Sequence, residues 1–243
     1  VVTGVITGRG NSCRAQSPSN QQFARTKNLS IENPNTEEAT ATGRLVVVSA
    51  PSGAGKTSLV NALLANAPNT RFSTSYTTRD PRPGEQDGKD YYFVSHKDFA
   101  RMVDEGEFLE HATVFDHAYG TSRRQVAALM EQGHDVLLEI DWQGANQVRK
   151  SMPDCLSIFI LPPSVDELEN RLRGRSTDTE QVVRRRLKDA RDDMSHWIEF
   201  DYAVVNESFG EATQALQDIL AGEGEHNRIQ NPEVRRHIAK VIA

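Results

Sequence analysis

The stretch Ala50-Pro51-Ser52-Gly53-Ala54-Gly55-Lys56-Thr57 constrains this chain more than any other, because of what stands on either side of it. Residues 45–48 form the continuous apolar run of a buried strand. Residues 57–66 place Leu59, Val60, Leu63 and Leu64 on one face of a helix. A glycine-rich turn between a strand and a helix lets backbone N–H groups close around an anion, and the helix N-terminus adds partial positive charge. Lys56 can then reach the β- and γ-phosphates of a nucleoside triphosphate, and the Thr57 hydroxyl is a natural ligand for Mg2+. Ala50 stands where the strict pattern has glycine. The bland alternative is a structural glycine turn, but the strand before and the helix after supply the context that a phosphate loop requires. Residues Ala50 to Thr57, with the adjoining Ser58, are therefore the expected ATP-binding segment.

From Arg44 onward, short apolar β-rich runs alternate with amphipathic stretches, the pattern of an α/β domain built on a mostly parallel sheet. Residues 136–140 and 156–161 read as central strands, 202–205 as a last strand and 209–220 as a long helix. Ser164, followed three residues later by Glu167, marks a helix start after the Pro162-Pro163 break. Between residues 72 and 120 the texture changes to short strands around Tyr91, Tyr92, Phe93 and Val94 within turn-rich links, as in an insertion. Residues 173–191 are strongly charged in a helical pattern, which fits a solvated face or a mobile lid.

Residues 1–42 are rich in Ser, Thr, Asn, Gln and Gly with few large apolar side chains, and are expected to form a disordered leader. Deleting residues 1–40 is accordingly expected to leave the melting temperature and kcat unchanged, and a drop of several degrees in a thermal melt would show that the leader docks. Residues 223–243 read as a polar, helical tail.

A formal net charge of -6 over 243 residues argues against general nucleic-acid binding, so any anion site must be local. Cys13 and Cys155 lie far apart with no metal-ligand spacing, and free thiols are the simpler reading. No apolar run approaches the roughly 20 residues of a membrane helix. The expectation is a cytoplasmic protein with no membrane partner, monomeric or homo-oligomeric.

Glu139 and Asp141 bracket Ile140 at the end of a central strand, and a spacing of two puts both on one strand face, where a carboxylate could complete a magnesium site. The segment from Ser75 to Glu85, followed by Gly88-Lys89-Asp90-Tyr91-Tyr92-Phe93, gathers arginines, hydroxyls and tyrosines in a turn. Guanidinium forks match phosphate oxygens, so a second anion pocket is plausible beside the reading of a polar loop.

These segments resemble the guanylate kinase family from about Arg44 to about Leu220. The motifs that carry the likeness are the loop itself, Thr-Thr-Arg-Asp-Pro-Arg-Pro-Gly-Glu, Gly-Lys-Asp-Tyr-Tyr-Phe, Phe-Leu-Glu, Tyr-Gly-Thr, Glu-Ile-Asp-Trp-Gln-Gly and Leu-Arg-Gly-Arg. The resemblance implies a P-loop nucleoside monophosphate kinase fold over residues 43–222. Within it, a GMP-binding insertion would span about 72–122 and a helical lid about 173–192. It implies that Arg79, Arg82, Tyr91 and Tyr119 hold the GMP phosphate, while Ser75, Glu110, Thr121 and Asp141 face the guanine, with Mg2+ on Thr57 and Asp141. Guanine presents N1–H and N2–H donors beside an O6 acceptor, so a carboxylate such as Glu110 accepts where a hydroxyl such as Ser75 donates. Glu139 stands where many members have aspartate. In the charged segment, Arg175 and Arg186 match the arginines that reach between the two nucleotides, and Asn206 matches the residue beside the adenine. Lys56, Arg175 and Arg186 would then cancel charge on the moving phosphoryl group. Arg171, Arg173, Arg184 and Arg185 read as solvated helix faces, and Trp142 and Trp197 as packing residues. Two other readings remain: a P-loop kinase acting on a sugar phosphate, and a non-catalytic module of the same fold.

Overall fold

The computed structural model of the chain describes residues 42–114, 116–174 and 180–242. The expected leader, up to residue 41, lies outside the described residues, as do Cys13 and Arg175. The strand β1 (Leu45–Ser49) is buried along its whole length. It forms the middle of a five-stranded sheet ordered β2-β7-β1-β8-β9, with β2 (Thr70–Phe72), β7 (Asp135–Glu139), β8 (Leu156–Leu161) and β9 (Tyr202–Val205). Every pairing in it is parallel. That explains the unbroken apolar runs, since both faces of such a sheet are covered by helices.

The alternation along β1 shows the two layers. Leu45 and Val47 belong to one core cluster, with Val148 of α4 (Trp142–Ser151), Leu168 and Leu172 of α5 (Val165–Arg173) and Ala190 of α6 (Glu180–Met194). Val46 and Val48 belong to the opposite cluster, with Leu59 and Leu63 of α1 (Lys56–Asn66) and Leu216 of α7 (Phe209–Ala221). The expected α/β fold with a parallel sheet between helices is the one observed.

Between β2 and β7 the chain builds a separate four-stranded sheet, ordered β4-β3-β6-β5. Its strands are β3 (Tyr76–Thr77), β4 (Tyr92–Phe93), β5 (Phe108–Val114) and β6 (His117–Ser122). The helices α2 (His96–Asp104) and α3 (Arg123–Glu131) accompany it. Both start on serines: the Ser95 hydroxyl accepts from the Asp98 N–H, and that of Ser122 from the Gln125 N–H. Ser164 likewise caps α5 by accepting from the Glu167 N–H, as its spacing predicts.

Past residue 222 the chain continues into α8 (Pro232–Val241), which starts on Asn231 with a proline in its first turn. Ile229 and Ile238 join the first core cluster, so the segment read as a polar tail packs on the body of the domain through its few apolar residues.

Candidate active site

The loop between β1 and α1 owes its shape to two glycines. Gly53 has φ 96° and Gly55 φ 94°, a region that side chains avoid. A Cβ on Gly55 would also stand 2.6 Å from the Asn206 amide nitrogen. That amide donates to the Ala54 carbonyl at 2.8 Å and is itself buried. Asn206, expected beside an adenine, thus braces the loop from below. Of the expected ATP-binding segment, all but the fully buried Ala54 line an open cleft of about 580 Å³.

A second cavity of about 160 Å³ adjoins the cleft and shares Lys56, Val114 and Asp141 with it. It brings together Ser75, Tyr91, Glu110, Tyr119 and Asp141, five residues that the resemblance places on the acceptor side, with Glu139 from the end of β7. Lys56 stands at the junction, its ammonium donating to the Ile140 carbonyl at 2.8 Å.

Glu110, on β5, is only 3% exposed. One carboxylate oxygen accepts from the Thr121 hydroxyl of β6 at 2.6 Å. Burial pushes its pKa up from 4.5 to about 7, against the Thr121 hydrogen bond, with the Asp141 charge adding to the rise and Lys56 opposing it. The carboxylate is therefore poised to change charge near neutrality. The second oxygen faces the first turn of α4, beside Gly144.

Asp141 departs from the expectation that it shares a strand face with Glu139. β7 ends at Glu139, and Asp141 is the N-cap of α4, its carboxylate accepting from the Gly144 N–H at 2.9 Å. The other oxygen accepts from the Gln143 side chain at 3.1 Å. The reason is local: α4 begins at Trp142 and needs a cap, which Asp141 supplies. Glu139, not Asp141, receives the Thr57 hydroxyl, at 2.6 Å.

Arg79 is packed on the tyrosine side of the smaller cavity. Its guanidinium donates to both Glu85 carboxylate oxygens at 2.9 and 3.0 Å and lies 5.3 Å from the Tyr91 ring centre. Tyr91 and Tyr119 meet edge to face at 6.0 Å. Burial, followed by the nearby Glu139 charge, raises the Tyr91 hydroxyl pKa, so it stays a donor. Arg82 is exposed, and its backbone N–H donates to Glu85 at 2.7 Å.

The charged segment divides as its texture allowed. Arg171 pairs with Glu167, Arg173 with Glu169 and Glu180, and Arg184 with Glu180, all on solvated surface. Arg186 stands on α6. Arg185, however, lines the larger cleft, and its guanidinium approaches Asp116 at 3.5 Å. Asp189, Asp192, Asp193 and Trp142 line it too. The Trp142 indole N–H donates to Asp193 at 3.0 Å, and the ring stacks 3.5 Å from His196. Trp142 is thus a cleft residue as well as a packing one, whereas Trp197 lies in the core. Nothing in the sequence separated these acids from an ordinary solvated helix face.

A sequence model described as guanylate kinase matches residues 42–223. The guanylate kinase of Alkalilimnicola ehrlichii is 54% identical over 190 residues, which is 78% of this chain and 94% of that protein. The guanylate kinase of Escherichia coli K12 is 48% identical over 205 residues, covering 84% of this chain and 99% of that one. Among solved structures, the crystal structure of guanylate kinase from Anaplasma phagocytophilum superposes with a TM-score of 0.63 at 36% identity, covering 80% of this chain and 94% of its own.

Proposed function

The chain belongs to the guanylate kinase family and transfers the γ-phosphoryl group of ATP to GMP, and from that premise we propose how its residues divide the work. The observation that carries the assignment is the pair of adjoining cavities meeting at Lys56, one floored by the phosphate loop, the other closed by a buried carboxylate. A triphosphate in the first directs its terminal phosphoryl group toward an acceptor phosphate in the second. Relatives at this level of identity give no support to a sugar-phosphate kinase or a non-catalytic module.

In this reading Arg79, Arg82, Tyr91 and Tyr119 hold the GMP phosphate, and Ser75, Glu110, Thr121 and Asp141 hold the base. Thr121 acts through Glu110, holding its carboxylate in place. Lys56, with Arg186 and Arg175, cancels charge on the equatorial oxygens as the phosphoryl group moves in line between two oxygens. No side chain need act as nucleophile. The α6 helix, as a lid, would exclude water that competes with GMP. Thr57 and Glu139 offer the hard oxygen donors that Mg2+ favours, and the ion would neutralise phosphate charge there. Asp141, whose two oxygens already accept from Gly144 and Gln143, is the second candidate. None of the described helices is long and apolar enough to cross a membrane, and a cytoplasmic site of action fits a kinase of free nucleotides.

ADP release measured with GMP, dGMP, IMP and AMP as acceptors tests the whole reading. GMP should exceed AMP by about 10⁴-fold in kcat/KM, because adenine would leave the buried carboxylate facing an acceptor. Turnover of AMP within tenfold of GMP would overturn the base assignment.

A further inference from the structure

Two carboxylates of the smaller cavity converge on a point where there is no atom. A Cβ built on Gly144 would stand 2.3 Å from one Glu110 carboxylate oxygen and 3.2 Å from an Asp141 oxygen. Gly144 lies in the first turn of α4, is buried, and donates its N–H to Asp141. It does not have positive φ, so its backbone does not call for glycine. Within a helix alanine is favoured over glycine. What glycine supplies at this position is space.

That space has an electrostatic use. With no side chain in the way, the Glu110 carboxylate comes against the first turn of α4, where the helix dipole favours negative charge. The same position keeps the Glu110–Thr121 hydrogen bond intact at a carboxylate that is almost fully buried. A methyl group at 144 would overlap the Glu110 carboxylate and force it to shift from the position in which Thr121 holds it.

We propose that Gly144 determines acceptor specificity, by leaving the room in which Glu110 and Asp141 are set at the depth and direction that guanine requires. The proposal rests on the reading of Glu110 as a guanine ligand, and it makes Gly144 a positioning residue acting through that carboxylate.

The test compares Gly144→Ala, Glu110→Gln, Glu110→Asp and the double variant Gly144→Ala/Glu110→Asp in the full chain. Readouts are kcat/KM for GMP and IMP, affinity for a non-hydrolysable ATP analogue, and the thermal midpoint. Gly144→Ala should lose about 30-fold or more in kcat/KM for GMP and narrow the GMP-to-IMP ratio. The ATP analogue should bind within about twofold of wild type and the midpoint should hold within about 3 °C, because the group that must yield is the far end of one side chain. Aspartate at 110 is one methylene shorter and relieves the overlap, so the double variant should lose less than the two single losses combined.

A Glu110→Gln protein with wild-type kcat/KM for GMP overturns the guanine reading, and this inference with it. A damaged Glu110→Gln beside a Gly144→Ala within threefold of wild type overturns this inference alone. Equal losses toward GMP and the ATP analogue, or strictly additive losses in the double variant, would show a general structural role instead. If Gly144→Ala does not fold, the double variant must, since the two nearest obstructing atoms, at 2.3 and 3.0 Å, belong to Glu110; its failure to fold also counts against the proposal.

Discussion

Replacing Lys56 with alanine is expected to lower kcat by about a hundredfold or more, in line with other lost charge contacts to a transition state. The ammonium sits where the two cavities meet, held by the Ile140 carbonyl at 2.8 Å. In the proposed reading it follows negative charge from donor to acceptor, an interaction stronger in the transition state than in either ground state. GMP affinity should respond less, and in a pH-dependent way. Lys56 holds the Glu110 pKa down, so without it that carboxylate protonates at higher pH. At pH 8.5 GMP should bind Lys56→Ala almost as it binds wild type, whereas near pH 7 binding should weaken. Isothermal titration of GMP at the two pH values, beside single-turnover rates, separates the effects. Near-normal turnover in a folded Lys56→Ala protein would remove the loop from the chemistry.

How far the site was readable from sequence varies with the kind of signal. The loop and β1 were legible because glycine spacing and an unbroken apolar run are local patterns with few structural meanings. The same holds for β8 and β9, whose expected bounds at 156–161 and 202–205 agree with the observed strands. The helix α4 was not legible. It carries few apolar residues and a glycine in its first turn, so periodicity gives no clear mark of its start at Trp142. That single gap misplaced Asp141, read as strand-end and found as a cap. It also hid the contact between Gly144 and Glu110, which joins residues 34 positions apart. The acids of α6 were missed for a related reason: Asp189, Asp192 and Asp193 look alike on any charged helix, and only the fold decides that they line a cleft.

The sharpest expectation concerns Glu110→Gln. The substitution turns one acceptor into a donor facing guanine donors, and should weaken transition-state binding of GMP by about 2 to 4 kcal/mol. The ATP analogue should be affected less than twofold, because Glu110 lies on β5 in the inserted sheet and not on the loop. IMP, which lacks the N2 amino group, should lose less than GMP. The pH profile adds a second signature. In the proposed reading the charged carboxylate is the form that accepts from guanine, and burial raises its pKa in the free protein to about 7. Wild-type kcat/KM for GMP should therefore fall about tenfold per unit below pH 7. In Glu110→Gln that limb should vanish, leaving only the break near pH 6 that belongs to the GMP phosphate.

Stability should move the other way. Because the folded pKa is raised from 4.5, the contribution of Glu110 to stability is fully present below about pH 4.5 and is lost as pH rises through about 7. Glutamine cannot ionise and can still accept from Thr121, so without ligand Glu110→Gln should be more stable than wild type at pH 8, by on the order of 3 kcal/mol. The advantage should shrink to below about 1 kcal/mol at pH 5. Thermal melts at the two pH values, with and without GMP, decide it. GMP should raise the wild-type midpoint strongly and the mutant midpoint little. A mutant no more stable than wild type at pH 8 would mean that the buried carboxylate is not held against its own desolvation, and a mutant that keeps the GMP-induced rise would place the guanine elsewhere.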